Sequence, residues 1–403
     1  MNPKRSLAAM LCLFVLSLNA QTISYNWLDK IGLAKEMLRT VKLEHSKKTV
    51  TYTKKIRIPK AKGKSKSLPR RQAGKQKSRI IVSKFTDYAW KEAALVVMDA
   101  DNGNLEIAKI KKDEQRLVNT NPKFDISIEE RSSGLTWNGK NTAFTVISNE
   151  SNSIYTVIAN KWLERLADGR VKEHVYAPFS NSLYQQELIA SGEAHLKDDV
   201  RLALGQLGVW GVGSLVFPKV TLASVVPADY LYNIALNEQT DPQEFYAFLA
   251  DDIKFDPFKR VLVLLAANGE EAYAETKSNA DALGLHQFTE PTWNLMRKTY
   301  PDAKLFSFRS NAGNHLVSSR ATALLYDYNL AELVRIFGDK ILRDANLTPY
   351  IAAAHNCGVS RVIKALKKPG KNWRVALRKL GKTDETILFL EKMDYLLKPQ
   401  LNQ

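Results

Sequence analysis

The spacing of apolar residues changes several times along the 403-residue chain, and each change marks a boundary. An almost unbroken apolar run, Leu7 to Leu18, follows the positive Lys4 and Arg5. Trp27, Ile31, Ala34, Leu38 and Val41 then recur at spacings of three and four, which predicts one short helix within residues 21–46. From 80 to 182 the texture is β-prone. Short runs such as RIIVSKF, FDISIEE, TAFTVIS and SIYTVIA are broken by Asn, Asp, Gly and Ser. Asp101-Asn102-Gly103 and Asn138-Gly139 are turn signals, and LVVMDADNGNLEIAKI reads as a hairpin. Beyond residue 183 the period is helical, interrupted by KVTLASVV and punctuated by Pro218, Pro227 and Pro242. The expected class is α+β. A small β-rich or α+β domain (80–182) precedes a helical bridge (183–221) and a compact all-helical domain (222–403).

Charge adds a further segment. Between Lys47 and Arg79, fourteen of 33 residues are Lys or Arg and none is acidic, with Pro59, Gly63, Pro69 and Gly74 interspersed. Like-charge repulsion and the lack of buriable surface predict a flexible basic linker over 47–79. With a net charge of +17, the expected contacts are anionic envelope surfaces. Tyr52 is the one aromatic residue in this stretch, which disfavours nucleic acid, because single strands are held largely by base stacking. Residues 1–20 have the form of an export signal with Ala20 before a cleavage point; an uncleaved membrane anchor is the alternative. The expected location is therefore the periplasm or cell envelope. Once such a signal is removed Cys357 stands alone, so no internal disulfide is expected.

Chemistry is concentrated near residue 270. A carboxylic acid that keeps its proton near neutral pH can protonate a glycosidic oxygen, and an apolar cleft favours the protonated form. The apolar segment Val261–Ala267 runs into Glu270 and Glu271, with Tyr273 close behind. Adjacent helical side chains diverge by about 100°, so burial of one glutamate is the expected source of such a shift. Adjacent glutamates are ordinarily solvent-facing, and alone they would mean little. Two later blocks change that: GLHQFTEPTW (Gly284–Trp293) and AAAHNCGVSRV (Ala352–Val362).

In this order the three blocks resemble the motifs of the lysozyme-like lytic transglycosylases, over about 130–150 residues at the C-terminal end. Glu270, Ala272 and Tyr273 are compatible with the first motif. Gly284, Leu285, Gln287 and Phe288 match the second, and Ala354, Asn356 and Gly358 the third. The resemblance implies a helical lysozyme-like catalytic domain that acts on peptidoglycan glycan strands. It implies non-hydrolytic cleavage between N-acetylmuramic acid and N-acetylglucosamine, leaving 1,6-anhydro ends, with Glu270 as acid and then base. Gly284 would let glycan approach the backbone. Gln287 and Asn356 offer amides to hydroxyl or N-acetyl groups. Tyr273, Phe288 and Trp293 would line the cleft or pack in the core. Neither a cofactor nor a metal is expected.

Three positions depart from the family: Glu271 replaces Ser, His286 replaces Met, and His355 replaces the Tyr near the catalytic acid. His355 could hydrogen-bond Glu270 in that Tyr's place. Hydrolysis of the same bond remains an alternative, with Glu271, Glu275, Asp281 or Glu290 holding water. A catalytically silent wall-binding protein is another.

Overall fold

The computed structural model describes residues 25–57, 78–112, 117–118, 121–128, 142–166, 170–368, 370, 372–381 and 384–398. The export-signal expectation, the Asn138-Gly139 turn and linker residues 58–77 lie outside the described residues. The chain forms two compact units, a sheet unit (33–100 and 104–178) and a helical unit (179 onward, joined by residues up to 32 and by 101–103). No helix among the described residues is long and apolar enough to cross a membrane.

The first helix, α1 (Trp27–Thr40), buries Ile31, Ala34 and Leu38 on one face, as their spacing predicts. Eight strands follow: β1 (His45–Arg57), β2 (Ser78–Asp99), β3 (Leu105–Lys112), β4 (Leu117–Val118), β5 (Phe124–Ile128), β6 (Phe144–Ser148), β7 (Ile154–Arg165) and β8 (Val171–Tyr176). They form one antiparallel sheet in the order β4-β3-β2-β7-β6-β5, with β1 paired to β2 and β8 to β7. The predicted hairpin is β2–β3, with Met98 opposite Leu105 and the Asp99 amide donating to the Asn104 carbonyl (3.0 Å). Ala93 to Met98 are all buried, so this run is covered on both faces and reads as continuous apolar sequence rather than alternation. Lys161 is also buried; its Nζ bonds the Val41 carbonyl (2.9 Å) and Glu173 (2.8 Å), which compensates its desolvation.

Residues 47–57 depart from the linker expectation. They pair in register with residues 78–88 of β2. Thr49, Val50, Thr51, Thr53 and Ile56 favour extended backbone, and the ladder's hydrogen bonds outweigh a repulsion that water and salt screen.

The helical unit contains α2 (Gln186–Val209), α3 (Ala228–Gln239), α4 (Pro242–Leu249), α5 (Pro257–Asn268), α6 (Glu290–Thr299), α7 (Phe308–Asn311), α8 (His315–Phe337), α9 (Leu347–Cys357), α10 (Val359–Leu366), α11 (Trp373–Arg378) and α12 (Asp384–Leu397). Asp241 and Asp256 cap α4 and α5, each followed by Pro at the first helical position. Val261 to Leu265 of α5 are buried around the whole helix, each contributing about 1.5–3 kcal/mol of transfer free energy. The segment expected to bridge two domains belongs instead to this core. At Gly192 of α2 an added Cβ would fall 1.9 Å from the Leu262 carbonyl oxygen, so α2 and α5 cross at backbone contact. Trp293, Leu324 and Ile351, from α6, α8 and α9, are fully buried in one apolar cluster with Leu207 of α2.

Candidate functional site

Helix α5 ends at Gly269, whose φ of +53° breaks the helix, and Glu270 follows in the single 3₁₀ turn Gly269–Glu271. Both Glu270 and Glu271 are exposed. The expectation of a glutamate sunk in an apolar cleft therefore fails here: the apolar residues belong to α5, and the turn after it lifts the carboxylates out of that packing. Glu270 Oε2 lies 3.5 Å from both Asn314 Nδ2 and the His315 amide at the start of α8.

The same place gathers side chains from other elements. His195 and Asp199 are four residues apart on one face of α2, and the Gly192 crossing brings that face towards the end of α5. His195 Nε2 stands 3.5 Å, and His315 Nδ1 3.7 Å, from Asp199 Oδ2. Ligand atoms of His195, Asp199, Glu270 and His315 all lie within 4.8 Å of one another. His315 is fully buried, and its Nε2 is 2.6 Å from the Ala272 carbonyl oxygen. Only a protonated nitrogen can donate there, so a neutral His315 turns the Nδ1 lone pair towards Asp199. His195 Nε2, Asp199 Oδ2 and His315 Nδ1 are each buried and make no hydrogen bond within the protein. A buried polar atom left in that state costs about 1–3 kcal/mol, and here three converge. Burial pushes the Asp199 carboxyl up, with Glu270's charge adding and His195 opposing; burial pushes His315 down, against the pull of Glu270.

The motif residues occupy a second neighbourhood. The loop after Glu270 is tied by bridges Lys277–Leu283 and Leu283–Phe288. Gly284, at φ +82°, is buried against Ala312, whose carbonyl oxygen would sit 2.1 Å from an added Cβ. Close approach is thus made by this chain's own backbone rather than left open for glycan. Gln239 at the end of α3 donates to the Gly284 and Leu285 carbonyls (3.1 and 2.9 Å). Half-buried Gln287 turns its amide nitrogen back onto Thr276 and Gly284 carbonyls (3.1 and 2.7 Å). Phe288 and Trp293 are core residues. Tyr273 is buried too, so it lines no open groove, and burial raises its phenol.

His355 does not meet Glu270. Its Nε2 faces Glu238 Oε1 of α3 at 3.4 Å, with its ring near Phe288 and Phe389. Asn356 is half-buried and accepts from Thr386 Oγ1 (2.7 Å). His286 is fully buried, with Nδ1 3.0 Å from Ser318 Oγ, and desolvation backed by His355 and His315 lowers it to about 3. Sequence reasoning missed His195, Asp199, Glu238 and His315. The His195-x3-Asp199 spacing on a helix was the one available signal.

Comparison with family models, curated proteins and solved structures found no match.

Proposed function

We propose that the helical unit has a lysozyme-like fold and cleaves peptidoglycan between N-acetylmuramic acid and N-acetylglucosamine without water, with Glu270 as acid and then base. The observation that supports it is an exposed glutamate just beyond a helix whose Val261–Leu265 run is buried, followed by the bridged loop that holds Gly284 and Gln287. An exposed carboxyl can reach a glycan strand, and weak 3.5 Å contacts to Asn314 and His315 leave it free to turn. The Glu270 proton passes to the glycosidic oxygen as the C1–O bond breaks. The muramic acid's 6-hydroxyl then attacks C1, its proton returns to Glu270, and the 1,6-anhydro bond forms. Attack from within the same sugar supplies the proximity that a second reactant would lack. The carboxylate grouped with Glu270 is Asp199, which is buried, while Glu271 is exposed beside Glu270 in the same turn. The reading includes export by residues 1–20 and attraction of the basic 47–79 stretch to the anionic envelope.

The test is mass spectrometry of digested wall glycan. Anhydro ends are expected, and Glu270→Gln is expected to lower their formation by about 100-fold or more. Reducing ends carrying a solvent oxygen would replace internal attack by hydrolysis, and intact strands would leave wall binding alone. Loss of cleavage in Glu238→Gln with full retention in Glu270→Gln would move the acid role to the carboxylate that faces His355.

A further inference from the structure

We propose that His195, Asp199 and His315 form a binding site for a first-row divalent cation of the zinc type, with Glu270 as the fourth ligand on the solvent side. Tetrahedral zinc held at about 2.0–2.1 Å by nitrogen and oxygen sets neighbouring ligand atoms roughly 3.4 Å apart. The distances from Asp199 Oδ2 to His195 Nε2 and His315 Nδ1 are 3.5 and 3.7 Å. These separations are long for hydrogen bonds and close to those of two ligands on one ion.

Satisfaction of polar groups points the same way. Three lone-pair-bearing atoms, buried and without a hydrogen bond in the protein, face one another from two helices. One cation would satisfy all three. The surroundings are also those of a prepared ligand. The bond from His315 Nε2 to the Ala272 carbonyl fixes both the tautomer and the ring orientation, as metal-binding histidines require. Two imidazoles among the donors select zinc-like ions over calcium or magnesium, which take oxygen. Glu270, exposed beside the buried three, supplies the remaining charge and the side from which an ion enters.

This proposal does not rest on the glycan reading. A zinc-bound Glu270 carries no proton to donate, so zinc binding and cleavage are alternative states of this residue.

The experiment is titration of the untagged, chelator-treated full chain with Zn2+ by calorimetry, with thermal unfolding recorded at each step. One zinc per chain is expected, with a rise in Tm of several degrees and no response to Ca2+. His195→Ala alters a side chain that is 30% exposed and is expected to keep the fold by circular dichroism while weakening zinc binding 100-fold or more. Asp199→Asn is expected to do the same, and Glu270→Gln to weaken binding about tenfold. Absence of stoichiometric zinc binding by the full chain overturns the proposal, as does binding that the folded His195→Ala and Asp199→Asn variants leave unchanged. Since the readout is the metal and not the glycan, its failure leaves the cleavage test intact.

Discussion

At His286 burial decides the chemistry. The imidazole is sealed in the core and held near pKa 3, against an ordinary value of 6.5, so the folded protein keeps it neutral through the mildly acidic range. The unfolded chain takes up a proton below about pH 6.5 and the native one does not, so stability is full above that pH and falls as pH drops towards 3. The slope from this residue is about 1.4 kcal/mol per pH unit, or about 2 kcal/mol by pH 5. Unfolding free energies from urea titrations at pH 7.5 and 5.0 should therefore differ less in His286→Met than in the unaltered chain by that amount. An equal acid sensitivity in both would show that other groups carry it. The sequence singled out this residue as a substitution for Met, but its burial was not legible. One histidine in a loop motif has no periodicity from which a face can be read. Tyr273 is a similar case: its φ of +59° and its burial come from the loop's closure rather than from its neighbours in sequence.

Among the elements, α2 and α8 carry the largest revision. Sequence period located both as helices, but not that α2 belongs to the core. Small residues at the crossing, Gly192 above all, are what let α2 reach the α5 backbone. The loop between α2 and α3 is anchored on α8 through Asp327, which is fully buried and accepts from Ser214 Oγ (2.6 Å), the Leu215 amide (2.8 Å) and Tyr300 Oη (2.9 Å). Removing that acceptor strands three donors at once. Asp327→Ala should cost about 3 kcal/mol or more, measured as a lower denaturant midpoint at unchanged slope. A cost below about 1 kcal/mol would mean that the loop satisfies itself elsewhere. At the site, Gln239 is to the Gly284 loop what Asp327 is to the earlier one: a side chain on one helix closing the backbone of another segment.

For the whole molecule, the excess of positive charge is the property with a consequence beyond any one contact. At +17, and with fourteen basic residues between Lys47 and Arg79, binding to an anionic polymer should be dominated by screened electrostatics. Co-sedimentation of the full chain with cell-wall sacculi is expected to fall several-fold between roughly 50 and 300 mM salt, as the Debye length shrinks from about 14 to about 6 Å. Salt-independent retention would assign the attraction to specific glycan contacts instead. That residues 47–57 enter a strand does not alter this expectation, because charge acts over a Debye length whatever the backbone does.

The division between a β-rich part and a helical part, the β2–β3 hairpin, the apolar stripe of α1 and the course of α5 up to Glu270 were determined by the sequence itself. Each follows from side-chain period, turn chemistry or capping, all of which act within a few residues. Tertiary structure alone decided that His355 faces Glu238, that Gly284 packs on Ala312, and that His195 and Asp199 meet Glu270 and His315. Those meetings depend on where helices cross and on which polar atoms the crossing leaves buried together. A crossing point set by one glycine against a distant carbonyl leaves no repeating trace along the chain.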